Sequence, residues 1–222
     1  MNATGRVIYF EGIDGSGKSS ALDAVYGTLA EKGIPVIKTA EPGGTQLGTK
    51  IKELLHSGDF GRTAEFFLFQ SAKAVHMDEV IAPAIQNGTI VLCDRGPLST
   101  DAYQVAGNNM SKLLVDMCGR TIGHDKVPAV TLVFSLPVET AIKRSVARDN
   151  NPSYYERDTE KMIRIASYYE KVALSGVYMG GPCIRIDALR PLEDVARTAE
   201  EAVMTAICRT SRFPREFAGS SR

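Results

Sequence analysis

The sequence predicts an α/β protein: a five-stranded parallel sheet with helices on both faces. Three observations predict it. Apolar runs of strand length alternate with helix-like segments, the first run leads straight into a glycine-rich loop ahead of a helix, and polar residues collect just after the strand candidates. In an open parallel sheet that last position lies beyond the carboxyl ends of the strands, where ligands bind.

The elements follow in order. A strand over Arg6–Glu11 carries Val7-Ile8-Tyr9-Phe10, and the next helix begins near Lys18 with Leu22, Val25, Tyr26 and Leu29 at three- and four-residue spacing. Gly33-Ile34-Pro35 ends that helix ahead of a strand at Val36–Ala40. A long helix runs from about Thr63 through Pro83, where the proline should kink or restart it, and stops at Gly88. Strands at Thr89–Asp94, Val130–Ser135 and Cys183–Asp187 alternate with helices at Leu98–Val105, Ser111–Ile122, Val138–Arg148, Asp158–Leu174 and Leu192–Ile207. No internal repeat is present. The tail from Arg209 to Arg222 lacks periodicity and is expected to be frayed, so residues 4–208 read as one domain.

A chain of 222 residues with 44% hydrophobic residues can bury one substantial core. The 26 basic and 26 acidic residues cancel, which gives no general attraction to long nucleic acid or an anionic membrane. No apolar stretch approaches a membrane span and no targeting segment opens the chain, so a cytoplasmic location is expected. Cys93, Cys118, Cys183 and Cys208 lack paired spacing and read as reduced thiols. His56, His76 and His124 lack metal-ligand spacing, so structural roles are expected for all seven.

The chemistry is concentrated in Gly12-Ile13-Asp14-Gly15-Ser16-Gly17-Lys18-Ser19-Ser20, a complete G-x-x-x-x-G-K-[ST] phosphate-binding loop. Its glycines allow backbone N–H groups to close around phosphate oxygens, Lys18 reaches the β/γ oxygens, and Ser19 offers a hydroxyl to Mg²⁺. Asp94 ends a strand abruptly and is placed to hold the same metal through water, while Arg95 can fork onto phosphate. The stretch Arg144 to Arg157 ends a helix, passes through Asp149-Asn150-Asn151-Pro152-Ser153 and fits a mobile lid over about 148–158. Phe69 offers a face for stacking a base, and Lys73 lies one turn later, within reach of an exocyclic carbonyl oxygen. Core packing is the competing role for Phe69, since Phe66, Phe67, Leu68 and Phe69 cannot all face one pocket.

These segments resemble the thymidylate kinase family. The resemblance spans about Val7 to Ile207 and rests on the Gly12–Ser20 loop, Glu41-Pro42-Gly43-Gly44-Thr45 with Gln46-Leu47-Gly48, and Phe67–Val75 with Ile81-Ala82-Pro83-Ala84. Asp94-Arg95 with Leu98–Gln104, and Ile186-Asp187-Ala188 ahead of Pro191-Leu192-Glu193, complete it. It implies a P-loop kinase fold, transfer of the γ-phosphoryl of ATP to dTMP with Mg²⁺, and a homodimer. It also implies site roles. The Gly12–Ser20 loop with Arg144 and Ala188 would hold ATP, and Lys18, Arg95 and the lid arginines Arg148 and Arg157 would stabilise the transferred group. Asp14, Glu41, Phe69, Lys73, Arg95, Thr100, Tyr103 and Gln104 would face the acceptor.

Departures from the family pattern fall on the acceptor side. Ala40 stands where arginine is usual, Lys73 where arginine is usual, and Val105-Ala106-Gly107-Asn108-Asn109 replaces a Gly-x-Gly-Arg-Gly stretch. A lysine lacks the planar fork of arginine, so a 5-modified or broader deoxynucleotide acceptor is the alternative reading. Ala40 removes a cation from the acceptor-phosphate side, so either affinity is reduced or Lys38 or Lys50 supplies the charge. A nucleotide-hydrolysing switch lacks its guanine-reading segment here, and a non-catalytic binding module sits poorly with an intact phosphate loop.

Overall fold

The computed structural model describes residues 5–57, 60–124, 129–149 and 158–209. Along β1 (Arg6–Glu11) side chains alternate between two buried faces of the sheet. Ile8 and Phe10 pack with Leu22, Val25 and Leu29 of α1 (Lys18–Glu31) and Val195, Ala199 and Val203 of α9 (Leu192–Arg209). Val7 and Tyr9 face the other way, against Met77 and Ile81. A strand buried on both faces is a near-continuous apolar run, which is why the periodicity-free stretch Val7–Phe10 is a strand.

The sheet has six strands in the order β2 (Val36–Ala40), β3 (Ile90–Asp94), β1, β4 (Ala129–Ser135), β6 (Gly181–Asp187), β5 (Val177–Tyr178). Five are parallel, as the sequence predicts. The sixth corrects the expected count: β5 pairs antiparallel with β6, Val177 opposite Pro182 and Tyr178 opposite Gly181. Met179 (φ 49) and Gly180 (φ 77) form the tight link, and both positive φ values suit a two-residue hairpin turn. Two residues are too few for any period to show.

The helices depart from expectation in three places. α2 (Gln46–Ser57) was not foreseen, although Leu47, Ile51 and Leu54 are spaced for one helix face. Thr45 caps it, its Oγ1 accepting from Gly48 N at 2.9 Å. The expected Thr63–Pro83 helix is instead α3 (Arg62–His76), a π-helical turn at Met77–Ile81, and α4 (Ala82–Gln86) with proline in its first turn. Pro83 has no N–H to give to a preceding carbonyl, so the helix restarts around it. The expected Leu98–Val105 helix likewise divides into α5 (Pro97–Thr100) and π-helical turns at Asp101–Gly107. α6 (Lys112–Ile122) and α7 (Val138–Asp149) match closely. In α8 (Thr159–Ser175) Asp158 is the N-cap, accepting from Lys161 N at 2.9 Å. Met162, Ile165 and Tyr169 of α8 join Leu98, Val133 and Val138 in the core on the second face. The proposed lid core at 150–157, including Arg157, and the tail at 210–222 lie outside the described residues.

Packing between β1 and the β3–α5 link is unusually close. A Cβ built on Gly96 would lie 2.2 Å from Tyr9 Cδ1, so the tyrosine ring fills the volume a side chain at 96 would need. Gly96→Ala is expected to destabilise the fold by about 1–3 kcal/mol through overpacking, and Tyr9→Leu in the same chain to recover part of that loss. Urea denaturation of the two single variants and the double variant checks this; additive losses would show that the two positions do not share the space.

Candidate active site

Register brings the phosphate loop and the Asp-Arg pair together. Phe10 of β1 stands opposite Asp94 of β3, and both strands end within a residue of this pair, at the same edge of the sheet. Ser19, one residue into α1, donates through Oγ to Asp94 Oδ2 at 2.6 Å. Hydroxyl and carboxylate oxygens are hard donors, so this pair fits a Mg²⁺ site of the kind that keeps most of its waters. The loop is built for close approach: Gly15 has φ 78, and a Cβ there would lie 2.1 Å from Ala141 O at the start of α7.

Lys18 is buried, its Nζ donating to Ile13 O at 3.1 Å and standing 3.9 Å from Asp14. Burial, and then neighbouring Arg95, lower its pKa, while Asp94, Asp14 and Glu11 oppose that shift. Arg95 adopts a left-handed backbone (φ 72), a conformation that costs a non-glycine residue about 1–3 kcal/mol and persists where surroundings enforce it. Here they do. Its N donates to Phe10 O at 2.9 Å, Nη2 donates to Asp14 Oδ1 at 2.6 Å, and Nη1 donates to Ser99 Oγ at 3.3 Å. The guanidinium also lies 5.1 Å from the centre of the Tyr103 ring. Burial works against its charge, but Asp14 and its neighbours outweigh burial and hold Arg95 charged. Tyr103 is pushed up to about 12, by burial first, and so keeps its proton.

Behind Arg95 sits a residue the sequence reading missed. Glu11, wholly buried at the end of β1, accepts from Ser99 N (3.1 Å), Ser99 Oγ (2.5 Å) and Tyr169 OH (3.2 Å). Burial raises its pKa, opposed by the bonds from Ser99 and the charges of Lys73 and Arg95. Ser99 thus joins Glu11 to Arg95. The available signal was a lone carboxylate closing an apolar strand.

Glu41 is the second buried carboxylate. Lys73 Nζ pairs with its Oε2 and donates to Gly96 O at 2.9 Å, while His76 Nδ1 and His124 Nε2 stand 3.4 and 3.5 Å from its Oε1. Two of the three histidines thereby meet one carboxylate although 48 residues separate them in the chain. Lys73, expected at a base edge, has its ammonium turned to this cluster.

The other expected residues are distributed as follows. In the phenylalanine run Phe66 is buried, Phe67 exposed and Phe69 half-buried, so the run divides between core and surface. Gln104 gives Nε2 to Glu65 (3.2 Å) and accepts from Asn108 Nδ2 (2.9 Å), so both ends of its amide have partners. Thr100 is buried and lines a separate small cavity with Gln70, Asp101 and His124. Arg144 Nη1 donates to Ala188 O at 2.9 Å, which joins the two expected ATP-side residues. Arg148 lies near the end of α7.

A cleft of about 230 Å³ opens at this edge of the sheet, lined by Asp14, Gly15, Gly17, Lys18, Ser19 and Ser20 of the phosphate loop and its helix, and by Ala40, Glu41, Lys52, Asp94 and Arg95. A parallel sheet with a cation-bearing phosphate nest after β1, and a second cation, Arg95, lining the same cleft, defines a P-loop phosphotransferase. A family model described as Thymidylate kinase matches residues 10–199. The chain is 33% identical over 213 residues to the thymidylate kinase of Bordetella pertussis (strain Tohama I), covering 95% of this chain and 100% of that one. It is 34% identical over 191 residues to that of Fervidobacterium nodosum (86% and 94% covered) and 42% identical over 148 residues to that of Pseudomonas syringae pv. tomato (65% and 70% covered). The chain belongs to the thymidylate kinase family.

The Glu41 cluster has a consequence for acid stability. Burial opposes the charge of Glu41, but Lys73 first and then the two imidazoles outweigh it and hold the carboxyl well below its usual range. The unfolded chain binds that proton more readily, so the stabilisation is complete above an unfolded carboxyl value of about 4.3 and is lost as pH falls below it. The urea midpoint of a Glu41→Gln/Lys73→Met double variant is expected to fall less steeply than that of the wild type below about pH 4.3. Equal slopes would remove Glu41 from the acid response.

Proposed function

We propose that this chain transfers the γ-phosphoryl group of ATP to the 5′-phosphate of dTMP, giving ADP and dTDP. The observation that carries the reading is the shared cleft: Lys18 with the phosphate loop and Arg95, anchored by Asp14 and Ser99, line it together. Phosphoryl transfer needs in-line positioning and cations on the equatorial oxygens more than covalent help from the protein. Lys18 draws the donor's terminal phosphates into the nest, and Arg95 bridges toward the acceptor phosphate. Ser19 and Asp94 would hold Mg²⁺, which would neutralise charge on the donor's phosphates when bound.

Asp14, joined to Arg95, is suited to accept a hydrogen bond from the acceptor's 3′-hydroxyl, and Tyr103 lies where a sugar would pass. Arg144 with Ala188 borders the adenine side. Arg148 and Arg157, on the segment about 148–158, are the candidates for closing over the transferred group and excluding water, which would otherwise accept the phosphoryl. The working unit is the domain at 4–208. A cytoplasmic setting suits a kinase dependent on ATP, and among the described residues no helix is long and apolar enough to cross a membrane.

One observation favours a second acceptor class. The ammonium of Lys73 is occupied by Glu41 and Gly96 O, and the amide of Gln104 by Glu65 and Asn108. A base in front of Phe69 would meet groups already satisfied, so discrimination against 5-modified or other deoxynucleotides rests on shape and stacking. The wild type is expected to make ADP only when an acceptor monophosphate is present, dTMP ranking first in a panel of deoxynucleotides, and Lys18→Ala to lower kcat by about 10³-fold or more. Acceptor-independent ADP would make the chain a hydrolase instead.

The chain is further proposed to form a homodimer. Leu47 and Leu54 of α2, Phe67 of α3, and Leu113 and Met117 of α6 are exposed on helices that pack side by side. A cluster of large exposed apolar groups on neighbouring helices suits association. Sedimentation equilibrium is expected to give twice the 24.0 kDa chain mass, and Leu113→Asp/Met117→Asp to give the monomer. A wild-type monomer would end the proposal.

A further inference from the structure

We infer that Glu41, His76, Cys93 and His124 form a binding site for one divalent transition-metal ion, of which Zn²⁺ suits the donor set best. The site is separate from the Ser19–Asp94 pair, and it holds or fails whichever monophosphate the cleft accepts.

No spacing in the chain announces it, because the four residues come from four places: the loop after β2, α3, β3 and the segment just after α6. Folding brings one ligand atom each of Glu41, His76 and Cys93 within 4.8 Å of one another, and all three residues are buried. Glu41 Oε1 is the shared centre: His76 Nδ1 stands 3.4 Å from it and His124 Nε2 3.5 Å. Two atoms bound at about 2.0–2.1 Å to one tetrahedral Zn²⁺ lie about 3.4 Å apart, so both spacings are those of co-ligands. They are long for charge-assisted hydrogen bonds, which run to about 2.7–2.9 Å. His124 supplies the independent sign. It is 4% exposed, and its Nε2 has no hydrogen-bond partner although it faces Glu41. A buried nitrogen in that state calls for an explanation, and a metal ion provides one.

The outer contacts fit as well. A ligating imidazole is aimed by the hydrogen bond that its other nitrogen makes. His76 Nε2 lies 2.7 Å from Thr39 Oγ1, so with the proton on Nε2 the lone pair of Nδ1 is left for the ion. A Cβ on Gly44 would collide with His76 Nε2 and lie 2.6 Å from Thr39 Oγ1, so loop backbone closes over the pair and fixes the ring. Lys73 takes Oε2 of Glu41 and Gly96 O, and Oε1 remains for the ion. The charge of Lys73 opposes a second cation here, and Cys93 offsets it. Its Sγ donates to Arg95 O at 3.0 Å; on coordination that proton passes to solvent and the sulfur binds as thiolate. Glu41 also lines the nucleotide cleft, which gives the ion a way in. Four protein ligands without an open position describe a structural site, one that ties the loop after β2 to α3 and β3.

The test uses the full chain, stripped with chelator and kept reduced, with Mg²⁺ in excess so that hard oxygen sites are filled. Co²⁺ titration is expected to give one equivalent with a thiolate-to-metal charge-transfer band and the visible bands of four-coordinate Co²⁺, both erased by Zn²⁺. Cys93→Ser is expected to lose the charge-transfer band, and His124→Ala to weaken Zn²⁺ binding by more than the about 10- to 100-fold that loss of an outer partner costs. Thr39→Val, which removes such a partner, falls within that range. The band is expected to persist in Cys118→Ser/Cys208→Ser, which removes the two more accessible thiols. A wild type without the band overturns the inference, and so does its loss in Cys118→Ser/Cys208→Ser; both readings stand whether or not the Cys93 variant folds. Zn²⁺ affinity unchanged in Cys93→Ser and His124→Ala also overturns it, since that leaves an adventitious ion only.

Discussion

The parallel pairing of β1 with β3 is the constraint on which the site depends. It sets Phe10 opposite Asp94, and from that register follow the bond between Ser19 and Asp94, the bond from Arg95 N to Phe10 O, and the meeting of Arg95 with Asp14. A slip of one residue would turn every side chain of either strand to the other face. It would bury Asp94 among apolar neighbours and move its carboxylate away from the loop. Core packing on both faces of β1 resists that slip, so the site's geometry is held by Val7, Ile8, Tyr9 and Phe10, none of which carries out chemistry.

Around this register the protein buries two carboxylates. Glu11 and Glu41 are both inaccessible to solvent or nearly so, and each is met by several donors or cations. A buried carboxylate without such partners would be neutral or would destabilise the fold. The two solve the problem differently. Glu11 is satisfied by the neutral donors Ser99 and Tyr169 and has a raised pKa, whereas Glu41 is satisfied by Lys73 and has a lowered one. One orients Arg95 through a hydroxyl, and the other anchors α3 to the loop after β2. Cleft-facing cations therefore keep fixed positions before any nucleotide arrives, which spares reorganisation during transfer.

Much of this was legible in the chain. The phosphate loop declares itself because its residues act through local backbone geometry, and the strand ahead of it and the helix after it are written in adjacent residues. Asp94-Arg95 was legible because charge ended an apolar run. By contrast, α2 was obscured by Gly48 and polar neighbours, and β5 was too short to show a pattern. Lys73 and Gln104 were placed at a base edge from their position on α3 and after α5. Their partners Glu41, Glu65 and Asn108 come from other elements and could not be read from helical spacing.

Sequence by itself determined what depends on neighbours within a few residues: the alternation of strands and helices, the anion-binding nest, and the residue types able to hold phosphate and metal. Tertiary structure alone decided which of those charges remain available. A lysine or carboxylate acts according to the dielectric around it and the partner it meets, and both are supplied by segments tens of residues away. Lys73 lost its freedom for that reason, to Glu41, which lies 32 residues away in the chain.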